Sequence, residues 1–256
     1  MKQTALITGA SGGIGMEFAR IFAEKNYDLV LVARSADKLQ QLAAELRNVS
    51  VTIIAKDLSK VDAPKEVYDE MKRKNSGVDV LINNAGFGDF GFFHETKWEK
   101  EAMMIDLNVR SLTQMTKLFG RDMVDRKSGK ILNVASTAAF QPGPTMAVYY
   151  ATKAYVWSFS IAIANEWKDF GVTVTCLNPG PTESGFQEAS NIVDSKLVKG
   201  KKLPAAHEVA EFGYNALMSG KTSVIHGFKN QILAFGAKVS PGKLAAGIAR
   251  NLQEKH

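Results

Sequence analysis

The 256 residues are 45% apolar and 23% charged, a composition that argues against a disordered or fibrous chain and suits one packed α/β domain. The net charge of +6 gathers toward the C-terminus, where from Lys221 onward six basic residues stand against one acid, Glu254. Without aromatic interleaving or a recognition motif, that excess argues against a nucleic-acid partner. A single cysteine, Cys176, rules out an intramolecular disulfide, and four scattered histidines suggest no metal site.

The chain opens with "MKQTALITGA", which runs straight into a structural motif and holds no apolar stretch of signal-peptide length, so a cytoplasmic protein is expected. Apolar runs rich in β-branched residues predict strands at 4–9, 28–33, 49–55, 78–84, 129–136, 172–178 and 222–227. Between them, helical periodicity covers 14–25, 37–47, 65–74, 97–125, 148–169 and 207–219. This alternation predicts an α/β fold, a doubly wound, Rossmann-like parallel sheet of about seven strands with helices on both faces. Ligands of such sheets bind at the carboxyl ends of the strands. The longest uncharged helical stretch, 154–165, falls short of the roughly 20 residues that a membrane span needs and reads as a buried helix.

With no repeat or linker, 1–256 is expected to be a single domain. Residues 183–204 are polar and weakly periodic, a length of loop that serves as a lid or is disordered. The 228–256 extension is amphipathic: Phe228, Ile232 and Phe235 share one helical face and, past Pro241, so do Leu244, Ile248 and Leu252. Such helices normally pack on their own domain or a neighbouring subunit, with weak membrane contact the lesser alternative.

The chemistry starts at "TGASGGIG" (8–15), where glycines at a strand-to-helix turn let amide groups face a pyrophosphate at the helix N-terminus. The spacing of Gly9, Gly13 and Gly15 is G-x-x-x-G-x-G rather than G-x-G-x-x-G, and by itself also fits an ordinary tight turn. At the end of the second strand, where an acid usually binds the ribose hydroxyls, Ala33 and then Arg34 appear. A guanidinium there favours a 2′-phosphate and hence NADP(H), although Arg34 also suits a cap on the next helix. Tyr149 and Lys153 stand four apart on a helix, their Cβ atoms about 5–6 Å apart. At about 4 Å and an effective dielectric of about 20, the ammonium would stabilise the phenolate by about 4 kcal/mol and bring the phenol near neutrality. Ser136, at the end of the fifth strand, is placed to hydrogen-bond a substrate oxygen. His94, Phe87, Phe90, Phe92, Phe93, Phe140 and Met146 are either pocket walls or ordinary loop and core residues.

Taken together, these residues resemble the short-chain dehydrogenase/reductase family from about Thr4 to Thr182: "TGASGGIG", "NNAG" (83–86), Asn108 in "LNVRS", Ser136 in "VAST", Tyr149 with Lys153, and "NPGPT" (178–182). The resemblance implies a catalytic tetrad of Asn108, Ser136, Tyr149 and Lys153. Tyr149 would exchange the proton with the substrate oxygen, Ser136 orient that oxygen, Lys153 bind the nicotinamide ribose, and Asn108 hold a relay water. It implies cofactor contacts from Gly9, Ser11, Gly12, Gly13, Ile14, Gly15, Arg34, Asp57, Leu58, Asn84, Ala85, Gly86, Tyr149, Lys153, Pro179, Gly180 and Thr182. By the same resemblance 183–204 closes over substrate, and a homodimer or homotetramer forms through the two long central helices. The expected function is an NADP(H)-dependent oxidoreductase interconverting a ketone, expected to be hydrophobic, and a secondary alcohol, its partner a small carbonyl or alcohol molecule. Two alternatives stand beside it: a carrier-linked 3-oxoacyl reductase, whose lysines at 196–202 would meet an acidic carrier, and a non-catalytic NADP(H)-binding sensor.

Overall fold

Seven parallel strands form one sheet in the order β3-β2-β1-β4-β5-β6-β7. They are β1 (Thr4–Thr8), β2 (Asp28–Ala33), β3 (Val51–Ala55), β4 (Val80–Asn83), β5 (Gly129–Val134), β6 (Val172–Asn178) and β7 (Ser223–Ile225). In this computed structural model residues 2–196 and 198–253 are described; Leu197 of the 183–204 segment and Glu254, Lys255 and His256 of the extension lie outside the described residues. The helices are α1 (Gly13–Glu24), α2 (Ala36–Glu45), α3 (Ala63–Arg73), α4 (Trp98–Ile105), α5 (Leu112–Asp125), α6 (Ala147–Trp167), α7 (Phe186–Ala189), α8 (Ala206–Met218), α9 (Phe228–Val239) and α10 (Gly242–Gln253).

Side chains alternate across each strand and so feed two cores. Ala5, Ile7, Leu29 and Leu31 pack with Phe18, Phe22 and Leu217 on one face. Leu6, Val30, Val32 and Leu81 pack with Met71, Phe119 and Ile163 on the other. Because both faces are covered, the strands read as continuous apolar runs. Between the layers, Asn83 Nδ2 donates to Thr116 Oγ1 and Asn133 Oδ1, each at 2.9 Å, and Asn133 Nδ2 donates to Ser160 Oγ at 2.9 Å. Buried polar groups satisfied in this way fix the central strands against α5 and α6. Strand order reverses between β1 and β4, which opens a crevice at their carboxyl ends.

Two expectations about helices change. The stretch 97–125 is not one helix, because Asp106–Ser111 winds as a π-helical turn between α4 and α5. Its sequence, DLNVRS, carries no Pro or Gly to announce the break. In the extension the amphipathic pattern is real but inverted: small Ala234 and Ala245 are buried, whereas Phe228, Ile232, Phe235, Leu244 and Ile248 are half or more exposed.

Candidate active site

A cleft of about 720 Å³ runs along the carboxyl edge of the sheet. It is lined by Gly9, Ser11, Gly12, Gly13, Ile14, Arg34, Asp57, Leu58, Asn84, Ala85, Gly86, Ser136, Tyr149, Lys153, Pro179, Gly180 and Thr182. Two of the expected residues, Gly15 and Asn108, do not line it. Gly15 lies behind the turn, where a Cβ would come within 2.3 Å of Gly9 O and 2.4 Å of Asn84 Nδ2. Gly9 takes φ +67 and is also crowded, with Asn84 Nδ2 2.7 Å and Ala85 Cα 2.9 Å from where a Cβ would stand. Asn84 clamps the turn from β4: its Nδ2 donates to Thr8 O at 3.0 Å and its backbone N–H to Thr8 Oγ1 at 3.0 Å.

Asn108 works from the second layer. Its Nδ2 donates to Phe87 O at 2.9 Å and Thr152 Oγ1 at 3.1 Å, and its Oδ1 accepts from Phe87 N at 3.2 Å. Both amide hydrogens are therefore spent on fixing the loop after β4 to α6. The π-helical turn is the device that swings this side chain inward, as such turns do at functional sites.

Tyr149 and Lys153 are both buried, on the face of α6 turned to β5. Lys153 Nζ donates to Val134 O at 2.9 Å and lies 5.8 Å from the Tyr149 ring centre. The expectation of a phenol brought near neutrality is corrected here. Burial pushes the phenol well above its ordinary value, a hydrogen bond with Ser136 pulling the other way. The same burial pulls the Lys153 ammonium down to about 8. Spacing alone gave the pair; desolvation, which disfavours both charged forms, reverses the expected shift. Ser136 follows the end of β5 by two residues, where its Oγ accepts from Ala138 N at 3.1 Å and donates to Pro179 O at 3.4 Å.

At the β2 end, Arg34 is exposed and Asp57 is held below its ordinary value. Burial alone would raise Asp57, but the N–H and hydroxyl of Ser59 and the charges of Arg34 and Lys60 outweigh it. Lys56, which also lines this end and pairs with Glu66 at 2.8 Å, escaped the sequence reading. Its position just before Asp57 was the available signal.

The loop after β4 and the 183–204 segment close the other end. Phe186 packs 5.3 Å from the Tyr149 ring, and Gly88 N donates to Ser190 Oγ at 3.2 Å. Phe87 and Met146 line the cleft. Phe90 packs against the apolar cluster that includes Met146, Tyr149 and Ile192, Phe140 lies under α9, and Phe92 and Phe93 are exposed. His94 is a surface loop residue beside Glu95. From α10, Gln253 Nε2 donates to Tyr150 Oη next to the cleft and Gln253 Oε1 accepts from Thr145 Oγ1 at 3.1 Å. α7 falls in the 183–204 segment expected to close over substrate; Gln253 did not figure among the expected site residues, since only the folded backbone brings it there. Cys176 is fully buried on β6, its thiol pushed up to about 12 by that burial.

Comparison with known proteins is consistent with this geometry. The short chain dehydrogenase family model matches residues 3–193. The chain is 35% identical over 187 residues to 17-beta-hydroxysteroid dehydrogenase type 3 of Mus musculus, a match covering 70% of this chain and 60% of that protein. It is 38% identical over 183 residues to the very-long-chain 3-oxoacyl-CoA reductase of Pyrenophora tritici-repentis, covering 68% of this chain and 53% of the relative. The matches thus span only about half to three fifths of these relatives' lengths. Among solved structures, the short-chain dehydrogenase from Sphingobium yanoikuyae in complex with NADPH superposes with a TM-score of 0.82 at 29% identity, over 92% of this chain and 93% of that one. The chain belongs to the short-chain dehydrogenase/reductase family of oxidoreductases.

Proposed function

We propose that the chain is an NADP(H)-dependent oxidoreductase interconverting an apolar ketone and a secondary alcohol, in one domain over 1–256, with Asn108, Ser136, Tyr149 and Lys153 as its acting residues. What supports this most directly is the buried Tyr149–Lys153 pair, one helical turn apart, in the same cleft as the glycine turn that opens α1. That turn suits a pyrophosphate: among the described residues no side chain caps α1 and nothing lies within 4 Å of a Cβ on Gly12, so the first amides of the helix are left to an anion. Arg34 and Lys56 offer two cations to a 2′-phosphate at the far end. The NADPH carried by the Sphingobium relative points the same way. The cofactor, when bound, supplies the hydride in reduction and accepts it in oxidation.

In reduction Tyr149 gives its proton to the carbonyl oxygen. A phenol held high by burial keeps that proton until negative charge develops on the substrate. Ser136 hydrogen-bonds the same oxygen and orients it. Lys153, mostly charged at pH 7, stabilises the phenolate left behind. Asn108 is a positioning residue that holds the Phe87 loop and Thr152 in register with Tyr149, rather than a holder of relay water through its amide hydrogens. The wall of Phe87, Met146, Phe186 and Ile192 suits an apolar substrate body, and the 183–204 segment acts as its lid. The hydroxysteroid and long-chain oxoacyl substrates in the relatives' names are of that kind. Exposed Tyr155 on α6 and Trp98 and Ile105 on α4 suit a homo-oligomer contact.

The test is NADPH oxidation against a panel of apolar ketones with wild type and Tyr149→Phe. A fall in kcat of about 10²-fold or more is expected, and equal turnover would overturn the mechanism. The 3-oxoacyl reading has one observation in its favour, the exposed Lys199, Lys201 and Lys202 on the lid. Strong salt dependence of kcat/KM with carrier-bound thioester, and none with free ketone, would select it.

A further inference from the structure

α9 and α10 hold the body with small side chains and turn large ones outward. Ala234 lies beneath α9 against Ala139 and Phe140, and Lys238 Nζ reaches back over the rings of Phe140 at 4.6 Å and Trp157 at 4.4 Å. α10 is seated by Ala245, Ala249 and Gln253. Outward, Phe228, Ile232, Phe235 and Val239 follow the helical repeat along α9, and Leu244 and Ile248 along α10; their exposures run from 50% to 75%. Apolar surface gathered in this way marks an interaction site rather than scattered exposure.

Charge decides what covers it. From Lys221 to Gln253 the sequence contains no acid, and Lys221, Lys229, Lys238, Lys243 and Arg250 are its charged residues. Lys229 and Lys243 adjoin Phe228 and Leu244, so each stands about 100° around its helix from the apolar row, and both are exposed. An apolar face with a basic rim fits the boundary of a bilayer of anionic lipids, where the rings and aliphatic chains enter the acyl edge and the lysines meet headgroups. A second copy fits worse, because a two-fold contact sets the same basic rim against itself with no acid on the segment to pair it.

We propose that the outer face of α9 and α10 docks this protein on an anionic lipid surface. Ile232, Leu233 and Ile248 also belong to the wall of the cleft, so docking turns the mouth of the cleft toward the bilayer and lets an apolar ketone pass into it without crossing water. That delivery step rests on the reductase reading; the docking does not.

The test is sedimentation of the full chain with phosphatidylcholine vesicles, with and without phosphatidylglycerol. Binding is expected only with phosphatidylglycerol and weakens as salt is added. Phe228→Glu with Phe235→Glu should lower partitioning about tenfold or more. Lys229→Gln with Lys243→Gln should lower it roughly fivefold per lysine. These four side chains lie outside the cleft, so melting temperature and turnover of a water-soluble ketone stay as in wild type. No binding to phosphatidylglycerol vesicles, or binding that survives the glutamates, overturns the proposal. So does a wild-type dimer that the glutamates split into monomers without any vesicle binding, which assigns the face to a second copy. Vesicle binding without turnover of any ketone leaves docking intact and sinks the reductase reading instead.

Discussion

The two ends of the cleft are made from different material. Toward β1 and β2 the walls are backbone: Gly9, Gly12 and Gly15 stand where the chain passes itself or opens to an anion, and a Cβ on Gly15 would strike Gly9 O. Toward β6 and the C-terminal helices the walls are side chains, among them Phe186 against Tyr149, with Ser190 on Gly88 and Gln253 on Tyr150 bracing them from behind. Backbone spacing cannot be altered one residue at a time without moving the strands, whereas a side-chain wall can be reshaped while the sheet stays intact. The first end suits a constant ligand and the second a variable one.

Lys153 stands where the two ends meet, and its removal gives the largest expected effect. Lys153→Met should lower kcat by about 10²-fold or more, because the phenolate loses its counter-charge. It should also stabilise the free protein at pH 7. The ammonium is lowered from 10.5 to about 8, so the unfolded chain binds the proton more tightly and the buried charge costs about 3 kcal/mol below pH 8. Losing the bond to Val134 O returns about 1 kcal/mol of that gain. Between pH 8 and 10.5 the wild-type amine becomes neutral in the fold, its stability climbs, and the advantage of the methionine shrinks. Tyr149, raised by the same burial, opposes this only above its ordinary value of 10.0, so denaturant melts at pH 7 and pH 9 are the clean comparison. A stability difference that does not change with pH would mean that Lys153 is hydrated.

At the backbone end Arg34→Asp should weaken NADPH in kcat/KM by about tenfold to a hundredfold and leave NADH nearly unaffected, the loss of one charge-assisted contact at an exposed position. Steady-state assays with both cofactors read this directly. An unchanged preference would move the phosphate contact to Lys56. KM for ketone should stay within about twofold, since Arg34 sits at the opposite end from Phe186.

The backbone end was also the legible one. Strand runs, helix periods and the glycine turn are local patterns that the sequence carries within a few residues, and each but the 97–125 helix, which is interrupted at Asp106–Ser111, appears within a few positions of its expected limits. What was not legible depends on contacts far apart in the chain. No breaker in DLNVRS announces the π-helical turn at Asp106–Ser111, and the partners to which it brings Asn108, Phe87 and Thr152, lie 21 and 44 residues away. The Tyr149–Lys153 spacing was visible, but the shift of the pair follows from how deeply α6 is buried, which an i, i+4 pattern does not report. The tail showed its period and concealed its direction: a large apolar stripe ordinarily faces inward, and here Ala234, Ala245 and Ala249 take that place.

The smallest expected effect lies at the side-chain end and separates the two most sharply. Gln253→Leu removes the hydrogen bonds to Tyr150 and Thr145 that seat the last turn of α10 beside the cleft. Tyr150 retains a bond to Gln141, so the change should cost about 1 kcal/mol, or roughly a fivefold rise in KM for a bulky apolar ketone. A small ketone that does not reach Ile248 and Leu252 should show no such rise, and NADPH affinity should be untouched because no group within reach of Gly12 or Arg34 has moved. Steady-state KM for the two ketones beside a fluorescence titration of NADPH reads all three. If NADPH binding weakens in parallel with KM, the two ends are mechanically coupled through α6, and the division between a fixed end and an adjustable one fails.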